Sequence, residues 1–226
     1  MDISQRISSF TSLYTGSSHG EMCQDIMVMA MTDGKHAGYF VEFGAMDGVG
    51  FSNTFMLERD LGWQGIVCEP ARIFHKNLLS NRNCAIDLRA VSHTSGQSLI
   101  FKETQTQLGL SGLVDFFDEN ECHTSRRHAS AGKTYSVETV SLNDLLTEHQ
   151  APDRIDYMSM DTEGSEYAIL QSFDFDKHRV SIFSIEHNYL ESRREQIKDM
   201  MLAHGYHQIS PELSKHDDWF VDGTLL

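Results

Sequence analysis

The segment from Phe40 to Gly48 constrains the fold of this chain more than any other feature. Residues Tyr39–Phe43 are β-branched or aromatic at most positions, which predicts a buried strand. Gly44 follows directly, where the backbone must turn sharply, and a second glycine stands just after Asp47. The tripeptide Ser52-Asn53-Thr54 then offers N-caps for a helix. A strand, a glycine turn and a helix in this order form the nucleotide-binding corner of a doubly wound sheet.

The glycine pattern also limits the ligand. The motif G-x-G-x-x-G is not matched, because Ala45-Met46 occupies the place of a second close glycine. This argues against a dinucleotide pyrophosphate and favours a smaller, less anionic ligand that carries a nucleoside, such as S-adenosylmethionine. An ordinary turn between strand and helix, with glycines needed only for packing, is the alternative interpretation.

A glutamate ends the next predicted strand. Glu69 follows the apolar run Gly65–Cys68, about twenty residues beyond the glycine turn, where a carboxylate commonly accepts hydrogen bonds from ribose hydroxyls. Pro70 cannot continue a strand and suits the first turn of a helix over residues 71–79. We therefore predict a ribose-binding role for Glu69, with a simple solvated glutamate as the alternative.

Two later strands end in polar side chains as well. Residues 153–160 form a predicted strand that leads into Asp161, and Glu163 begins the following helix. The strand from Val180 ends in Glu186, followed by His187. Because ligands of open α/β sheets bind beyond the carboxyl ends of the strands, these side chains are candidates for chemistry. An acid in a first helical turn also suits the helix dipole, and a lone histidine is more often a satisfied core residue.

We take Asp161, His187 and Glu163 as the candidate catalytic residues. Asp161 or His187 would remove the proton of an attacking alcohol. A second route is metal assistance, in which Asp161, Glu186 and His187 hold Mg²⁺ or Mn²⁺ through oxygen and imidazole donors.

The order of motifs along the chain resembles the FkbM-type S-adenosylmethionine-dependent methyltransferases. The resemblance runs from about residue 39 to residue 187 and rests on Val41–Gly48, Ser52–Thr54, Leu57-Glu58, Gly62–Gly65, Glu69-Pro70, Ala90–Ser92 and Asp161–Gly164. It implies an α/β class I, Rossmann-like fold with a seven-stranded, mostly parallel sheet, an antiparallel final strand and helices on both faces. It also implies S-adenosylmethionine as donor and, most often, a hydroxyl oxygen of a sugar or polyketide-like product as acceptor.

The resemblance implies roles for individual residues. The methionine and ribose side of the cofactor would be lined by Glu42, Gly44, Asp47 and Gly48, and the ribose hydroxyls would be held by Glu69. Ala90 and Val91 would lie near adenine, with Asp87 or Ser92 close by, and Asp161 would face the methyl-transfer region. We include neighbouring residues of the same motifs among the predicted cofactor contacts: Ala45, Ser52, Asn53 and Pro70.

Composition sets limits on partners. The chain has 226 residues and a formal charge of −15, which makes nucleic acid or an anionic membrane an unexpected partner. Four cysteines without C-x-x-C spacing, no signal-peptide pattern and no long apolar run favour a single cytoplasmic domain without a membrane span. The oligomeric state is not predicted.

Three segments complete the expected organisation. Two helices, residues 3–14 and 21–31, precede the first strand within an N-terminal segment 1–36. Residues 84–90 are predicted as the third strand, and residues 206–210 and 219–221 as a final antiparallel pair. Residues 102–134 are predicted as an acceptor-binding insertion, largely a structureless loop, in which Arg126 and Arg127 could hold an acceptor phosphate or carboxylate.

The predicted function is therefore O-methyl transfer to a sugar, a glycan or a small natural product. Two alternatives stay open. The acceptor could be a carboxylate, an amine or a nucleotide, or the chain could be a methyltransferase-like module that binds a partner without catalysis.

Overall fold

The structure is a computed structural model that describes residues 3–120 and 122–226. Of the predicted segments, residues 1 and 2 of the N-terminal segment and residue 121 of the insertion lie outside the described residues.

Helices and strands alternate along most of the chain, as predicted. In chain order the elements are α1 (Ile3–Tyr14), α2 (Gln24–Met31), β1 (Tyr39–Phe43), α3 (Phe55–Leu61), β2 (Gln64–Cys68), α4 (Arg72–Asn81), β3 (Ala85–Asp87), β4 (Ala90–Ser92), β5 (Ser98–Thr104), β6 (Gly112–Leu113), α5 (Thr124–Ala129), β7 (Gly132–Ser141), α6 (Leu142–Glu148), β8 (Arg154–Met160), α7 (Glu166–Ser172), β9 (Arg179–Glu186), α8 (Glu191–Ala203), β10 (Tyr206–Ile209) and β11 (Asp217–Asp222). Short 3₁₀ turns cover Thr15–Ser17, Leu108–Leu110, Val114–Phe116 and Gly223–Leu225.

A seven-stranded sheet forms the centre of the molecule, with strand order β10-β11-β9-β8-β1-β2-β3. Neighbouring strands from β9 through β8, β1 and β2 to β3 are parallel, whereas β11 is antiparallel to both β9 and β10. The predicted mostly parallel sheet with an antiparallel final strand is therefore observed. The carboxyl ends of β1, β2, β8 and β9 meet at one edge.

Helices cover both faces of this sheet, because successive strand residues point to opposite sides. Val41 and Phe43 of β1 belong to a core cluster that includes residues of α6, α7 and α8. Phe40, between them, belongs to a second cluster that includes residues of α1, α2, α3 and α4. A doubly covered sheet explains why β1, β8 and β9 are almost wholly buried.

The predicted strand over residues 84–90 is in fact two short strands, and this part of the prediction was wrong. β3 closes the edge of the large sheet beside β2, and β4 pairs with β7 in a second sheet of order β4-β7-β5-β6. The chain changes sheets at residues 88 and 89. Asp87 accepts hydrogen bonds from the backbone and side chain of Arg89 there, which fixes the bend.

The insertion is folded, contrary to the expectation of a structureless loop. β5 and β7 pair along seven residues, from Ser98↔Glu138 to Thr104↔Gly132. The intervening segment contributes β6, two 3₁₀ turns and α5. It packs back onto the carboxyl edge of the large sheet, where Gly112 lies next to Glu163 and Thr162.

The two predicted N-terminal helices are present. α1 has the predicted bounds and α2 starts at Gln24, three residues later than expected. Met27 and Met29 of α2 are buried in the core, and Met31 is half-buried. None of the helices in the described ranges is both long and apolar enough to cross a membrane.

Candidate active site

A cavity of about 380 Å³ opens at the carboxyl ends of β1, β2, β8 and β9. It is lined partly by side chains of the strand ends and partly by the insertion. The lining includes Phe43, Gly44, Met46, Phe51, Glu69, Pro70, Phe74, Ala90, Val91, Leu108, Leu110, Ser111, Leu113, His123, Asp161, Glu163, Glu186, Asn188, Tyr189 and His216. Its size lies within the range typical of small-molecule sites.

The turn after β1 is fixed by its contact with β8. Gly44 has a φ of +75°, and a Cβ at this position would lie 2.2 Å from the carbonyl oxygen of Asp161. Glycine is therefore required at position 44 for two reasons: the backbone conformation there, and the close approach of the turn after β1 to the end of β8. The N–H groups of Gly44 and Ala45 donate to the carbonyl of Cys68, at 3.0 and 3.2 Å.

The rest of this loop is held by Asp47. Its Oδ1 accepts hydrogen bonds from the N–H groups of Val49 and Gly50, at 3.0 and 2.8 Å. Gly48 packs against α4, where a Cβ would meet the side chains of Leu78 and Arg82. Ala45, Asp47 and Gly48 shape the loop rather than the cavity wall.

Glu42 lies inside the protein and organises the segment before α3. Its carboxylate accepts hydrogen bonds from Ser52 Oγ (2.9 Å), the Asn53 N–H (2.6 Å) and Thr54 Oγ1 (2.5 Å), and Arg82 Nη1 lies 3.3 Å away. These residues are buried. Glu42, Ser52 and Asn53 thus support the glycine turn from behind, without lining the cavity.

Glu69 connects the loop after β1 to the start of α4. Its Oε2 accepts a hydrogen bond from the Met46 N–H (2.8 Å) and its Oε1 from the Ala71 N–H (2.7 Å). Burial raises the pKa of Glu69 to about 7, although both hydrogen bonds favour the ionised form. The carboxylate faces the cavity, so its remaining lone pairs can accept hydrogen bonds from a ligand.

The wall beside Glu69 is apolar. Pro70, Phe74, Ala90 and Val91 line it. Two polar neighbours predicted near adenine are engaged elsewhere: the Asp87 carboxylate pairs with Arg89, and Ser92 is fully buried without facing the cavity. The wall can therefore hold a flat ring through apolar contact.

Three carboxylates meet on the opposite wall. Asp161, Glu163 and Glu186 each place an oxygen within 4.8 Å of the others. Desolvation, followed by the negative charge of Glu163, raises the pKa of Asp161 well above its usual range. Desolvation and the charge of Asp161 act in the same direction on the pKa of Glu186. The pair of Asp161 and Glu186 therefore favours a state that carries a proton or a cation.

Glu163 is held by the insertion. Its Oε2 pairs with the guanidinium of Arg127, which is fully buried, and accepts a 3.2 Å hydrogen bond from Asn188 Nδ2. The Arg127 guanidinium also lies 4.2 Å from the centre of the Phe117 ring, while Arg126 is exposed. Of the two arginines predicted to hold an acceptor, Arg127 thus contacts the acidic cluster directly.

His187 lies outside the cavity lining. Its Nδ1 accepts a 3.1 Å hydrogen bond from the N–H of Tyr189, and its Nε2 is 3.9 Å from Asp218 Oδ1. Desolvation lowers the pKa of His187, which favours the neutral ring. The structure therefore brings Asp161 and Glu186 together with Glu163, and places His187 beneath the loop that carries Tyr189.

Two aromatic side chains stand at the rim of the cavity. Phe51 is 63% exposed and Tyr189 is 58% exposed, and both line the cavity. Each has a positive φ, +60° and +56° respectively. Bulky residues rarely adopt a positive φ, because this conformation costs free energy. Residues that do adopt it are found most often at functional sites. Sequence patterns did not single out either residue, because a positive φ leaves no signature in a bulky side chain.

Comparison with known proteins identifies the family. Residues 42–208 match the family described as "Methyltransferase FkbM domain". No curated protein matches the sequence. Similar solved structures include a precorrin-6y C5,15-methyltransferase from Geobacter metallireducens (9% identity, TM-score 0.44, covering 81% of this chain and 71% of that chain). Others are a methyltransferase from Pyrococcus furiosus (12%, 0.43, 97% and 98%) and a human methyltransferase 10 domain containing protein (10%, 0.42, 97% and 95%). Because the family match spans most of the chain and includes the strand ends that form the cavity, this protein belongs to the FkbM methyltransferase family.

Proposed function

We propose that the protein transfers a methyl group from S-adenosylmethionine to a hydroxyl oxygen of a sugar, a glycan or a small natural product. The observation that supports this most is the division of one cavity into two chemically different walls. One wall combines Glu69 with apolar side chains, and the other carries the carboxylates of Asp161, Glu163 and Glu186.

The first wall suits the nucleoside of the cofactor. Glu69 lies at the end of β2 with lone pairs that can accept hydrogen bonds from ribose hydroxyls. Phe74, Ala90 and Val91 would contact the adenine ring. The turn at Gly44 would place the methionine portion next to Asp161.

The second wall suits the reacting end. S-Adenosylmethionine supplies a positively charged sulfonium with a transferable methyl group, and nearby carboxylates favour binding of that charge. The insertion faces the carboxylates through Leu110, Ser111 and Leu113. It would exclude water and hold the acceptor in line, which is the main requirement of a methyl displacement.

The acceptor proton needs a base on the cavity wall. Asp161 and Glu186 line the cavity, and the pKa of each is raised well above the usual range. Their shared site therefore binds a proton more readily than an ordinary carboxylate, as a general base requires. We assign the base to this pair, while Glu163 orients Asn188 and Arg127.

The same acidity favours one other acceptor class. Five carboxylates, of Glu21, Glu69, Asp161, Glu163 and Glu186, line one small cavity. Such a wall attracts a cationic acceptor, so an amine is the second candidate, ahead of a carboxylate or a nucleotide.

Calorimetric titration with S-adenosylmethionine and with S-adenosylhomocysteine tests the cofactor assignment. We expect both compounds to bind with micromolar affinity. The affinity for each should be at least about tenfold weaker in Glu69→Ala. Glu138→Gln, which changes an exposed glutamate of β7 outside the cavity, should bind like the wild type. A folded protein that binds neither compound would exclude the proposed activity.

A second experiment separates the acceptors. The protein is incubated with S-adenosyl[methyl-³H]methionine and matched pairs of hydroxyl and amine compounds, such as a methyl glycoside and the corresponding aminosugar glycoside. Label in the hydroxyl compound supports O-methyl transfer, and label confined to the amine supports the alternative.

A further inference from the structure

We propose that Asp161, Glu163 and Glu186 bind one divalent cation, Mg²⁺ or Mn²⁺, at the carboxyl ends of β8 and β9. The binding site depends only on these three side chains, whereas a part for the ion in methyl transfer rests on the proposed function.

The geometry suits a small oxygen-preferring ion. One oxygen of each carboxylate lies within 4.8 Å of the other two. Oxygens on opposite sides of a Mg²⁺ ion are about 4.2 Å apart, since each bond is about 2.1 Å long. Small rotations of side chains that already face one another would therefore complete the ligand set.

Charge compensation is incomplete without a cation. Arg127 neutralises Glu163. In residues 3–120 and 122–226, no lysine, arginine or histidine forms an ion pair with Asp161 or Glu186. A buried carboxylate such as that of Glu186 is normally paired or bound to a metal, because an isolated charge is strongly disfavoured away from water.

Glu186 gives independent support. The residue is only 5% exposed, and its Oε2 has no hydrogen-bond partner although it is buried at the cavity wall. Unpartnered buried polar atoms are rare and often indicate an ion or a water molecule. A proton shared between Asp161 and Glu186 would satisfy one oxygen of each, whereas a cation also gives a partner to Oε2.

The position of His187 explains why it is not part of this set. His187 follows the last residue of β9 and does not line the cavity that Asp161, Glu163 and Glu186 line. Glu163 takes the third place because the turn after β8, where it has a φ of +60°, brings its side chain back to the strand ends.

The position of the ion suggests its use. Mg²⁺ retains several water molecules when it is held by few carboxylates, and an oxygen of the acceptor could replace one of them. An ion beside a hydroxyl lowers its pKa and orients it for attack. Asp161 and Glu186 would then each hold the ion through one carboxylate oxygen, and the second oxygen of Asp161 would take the proton of the acceptor hydroxyl.

Titration of the full chain with MnCl₂, with free Mn²⁺ followed by electron paramagnetic resonance, tests the site in the presence and absence of S-adenosylhomocysteine. We expect one Mn²⁺ per chain, displaced by excess MgCl₂. Asp161→Asn and Glu186→Gln should each weaken binding at least about tenfold. Glu21→Gln changes a carboxylate that lines the same cavity outside the cluster and should leave Mn²⁺ binding unchanged.

Two results would overturn the proposal. One is the absence of Mn²⁺ binding to the wild-type chain with and without S-adenosylhomocysteine. The other is equal binding in the wild type, Asp161→Asn and Glu186→Gln, with folding of each variant checked by circular dichroism. Calorimetry with S-adenosylhomocysteine on the same samples keeps the two proposals apart: cofactor binding without Mn²⁺ binding rejects only the metal site.

Discussion

The backbone N–H of Met46 donates a 2.8 Å hydrogen bond to the Glu69 carboxylate, so a single buried side chain joins the loop after β1 to the end of β2. The other carboxylate oxygen accepts from the Ala71 N–H at the start of α4. The effect of burial nevertheless outweighs that of the two hydrogen bonds, and it raises the pKa of Glu69 to about 7. The charge at the centre of the proposed cofactor site is therefore sensitive to pH near neutrality.

The pH dependence of stability follows from this pKa. A carboxyl group whose folded pKa lies above its unfolded value stabilises the fold most below the unfolded pKa, near 4.5, and this contribution is lost as the pH rises through about 7. Glu69→Gln removes the titration. We expect the free energy of unfolding of Glu69→Gln, relative to wild type, to rise by about 3 kcal/mol between those limits. Urea unfolding at several pH values measures the difference, and a constant difference across this range would contradict the assignment.

Gly44 provides a test of the contact between β1 and β8. Gly44→Ala introduces a Cβ both in the left-handed region and 2.2 Å from the Asp161 carbonyl oxygen. Gly62 has a similar φ of +67° with nothing within 4 Å of the added Cβ. Gly62→Ala should cost about 1–2 kcal/mol of unfolding free energy from the backbone alone. Gly44→Ala should cost about 1–3 kcal/mol more from the clash, and equal losses in urea unfolding would show that the loop moves freely away from β8.

Arg82 is expected to be a major determinant of stability. Its buried guanidinium lies 3.3 Å from Glu42 and 2.5 Å from Glu58. Arg82→Ala leaves Glu42 as a buried charge without its cation and should cost about 3–5 kcal/mol. Arg59 pairs with Asp60 on the surface, so Arg59→Ala should cost less than about 1 kcal/mol. Chemical denaturation compares the two, and similar losses would mean that the Glu42 cluster does not need Arg82.

The adjacent arginines of α5 should differ in the same way. Arg127 is buried and pairs with Glu163, whereas Arg126 is exposed. Arg127→Ala should lower the free energy of unfolding by about 3 kcal/mol or more and reduce methyl transfer, because Glu163 loses its partner. Arg126→Ala should change either quantity little. If Arg126→Ala instead raised KM for the acceptor while Arg127→Ala did not, the exposed arginine would be the acceptor contact.

The sequence predicts those parts of the fold that depend on local patterns. β1 and α1 have the predicted bounds, because buried β-branched and aromatic runs and helical periodicity are strong signals. Acids at strand ends could also be placed, since the carboxyl ends of parallel strands meet at one edge. The acidic cluster therefore follows from the sequence, apart from the choice between Glu163 and His187, which depends on the side to which each residue points.

Long-range pairing was not predictable in the same way. The second sheet joins Ser98–Thr104 to Gly132–Ser141 across an intervening segment that has no strong periodicity. The change of sheet between β3 and β4 depends on hydrogen bonds of Asp87 with Arg89, which a short apolar run does not indicate. Phe51 and Tyr189 at the cavity rim were not predicted for a related reason: their exposure and positive φ are set by the loops around them.

His187 is expected to position Tyr189 rather than to remove a proton. Its Nδ1 accepts the Tyr189 N–H, so the ring hydrogen is on Nε2, and the ring does not line the cavity. His187→Ala should raise the rate of amide hydrogen exchange at Tyr189 and lower turnover with the acceptor, with affinity for S-adenosylhomocysteine nearly unchanged. Asn supplies a carbonyl oxygen close to the position of Nδ1, so His187→Asn should restore both amide protection and turnover. A base at this position predicts a different pattern, in which His187→Asn protects the Tyr189 amide but remains inactive at every pH.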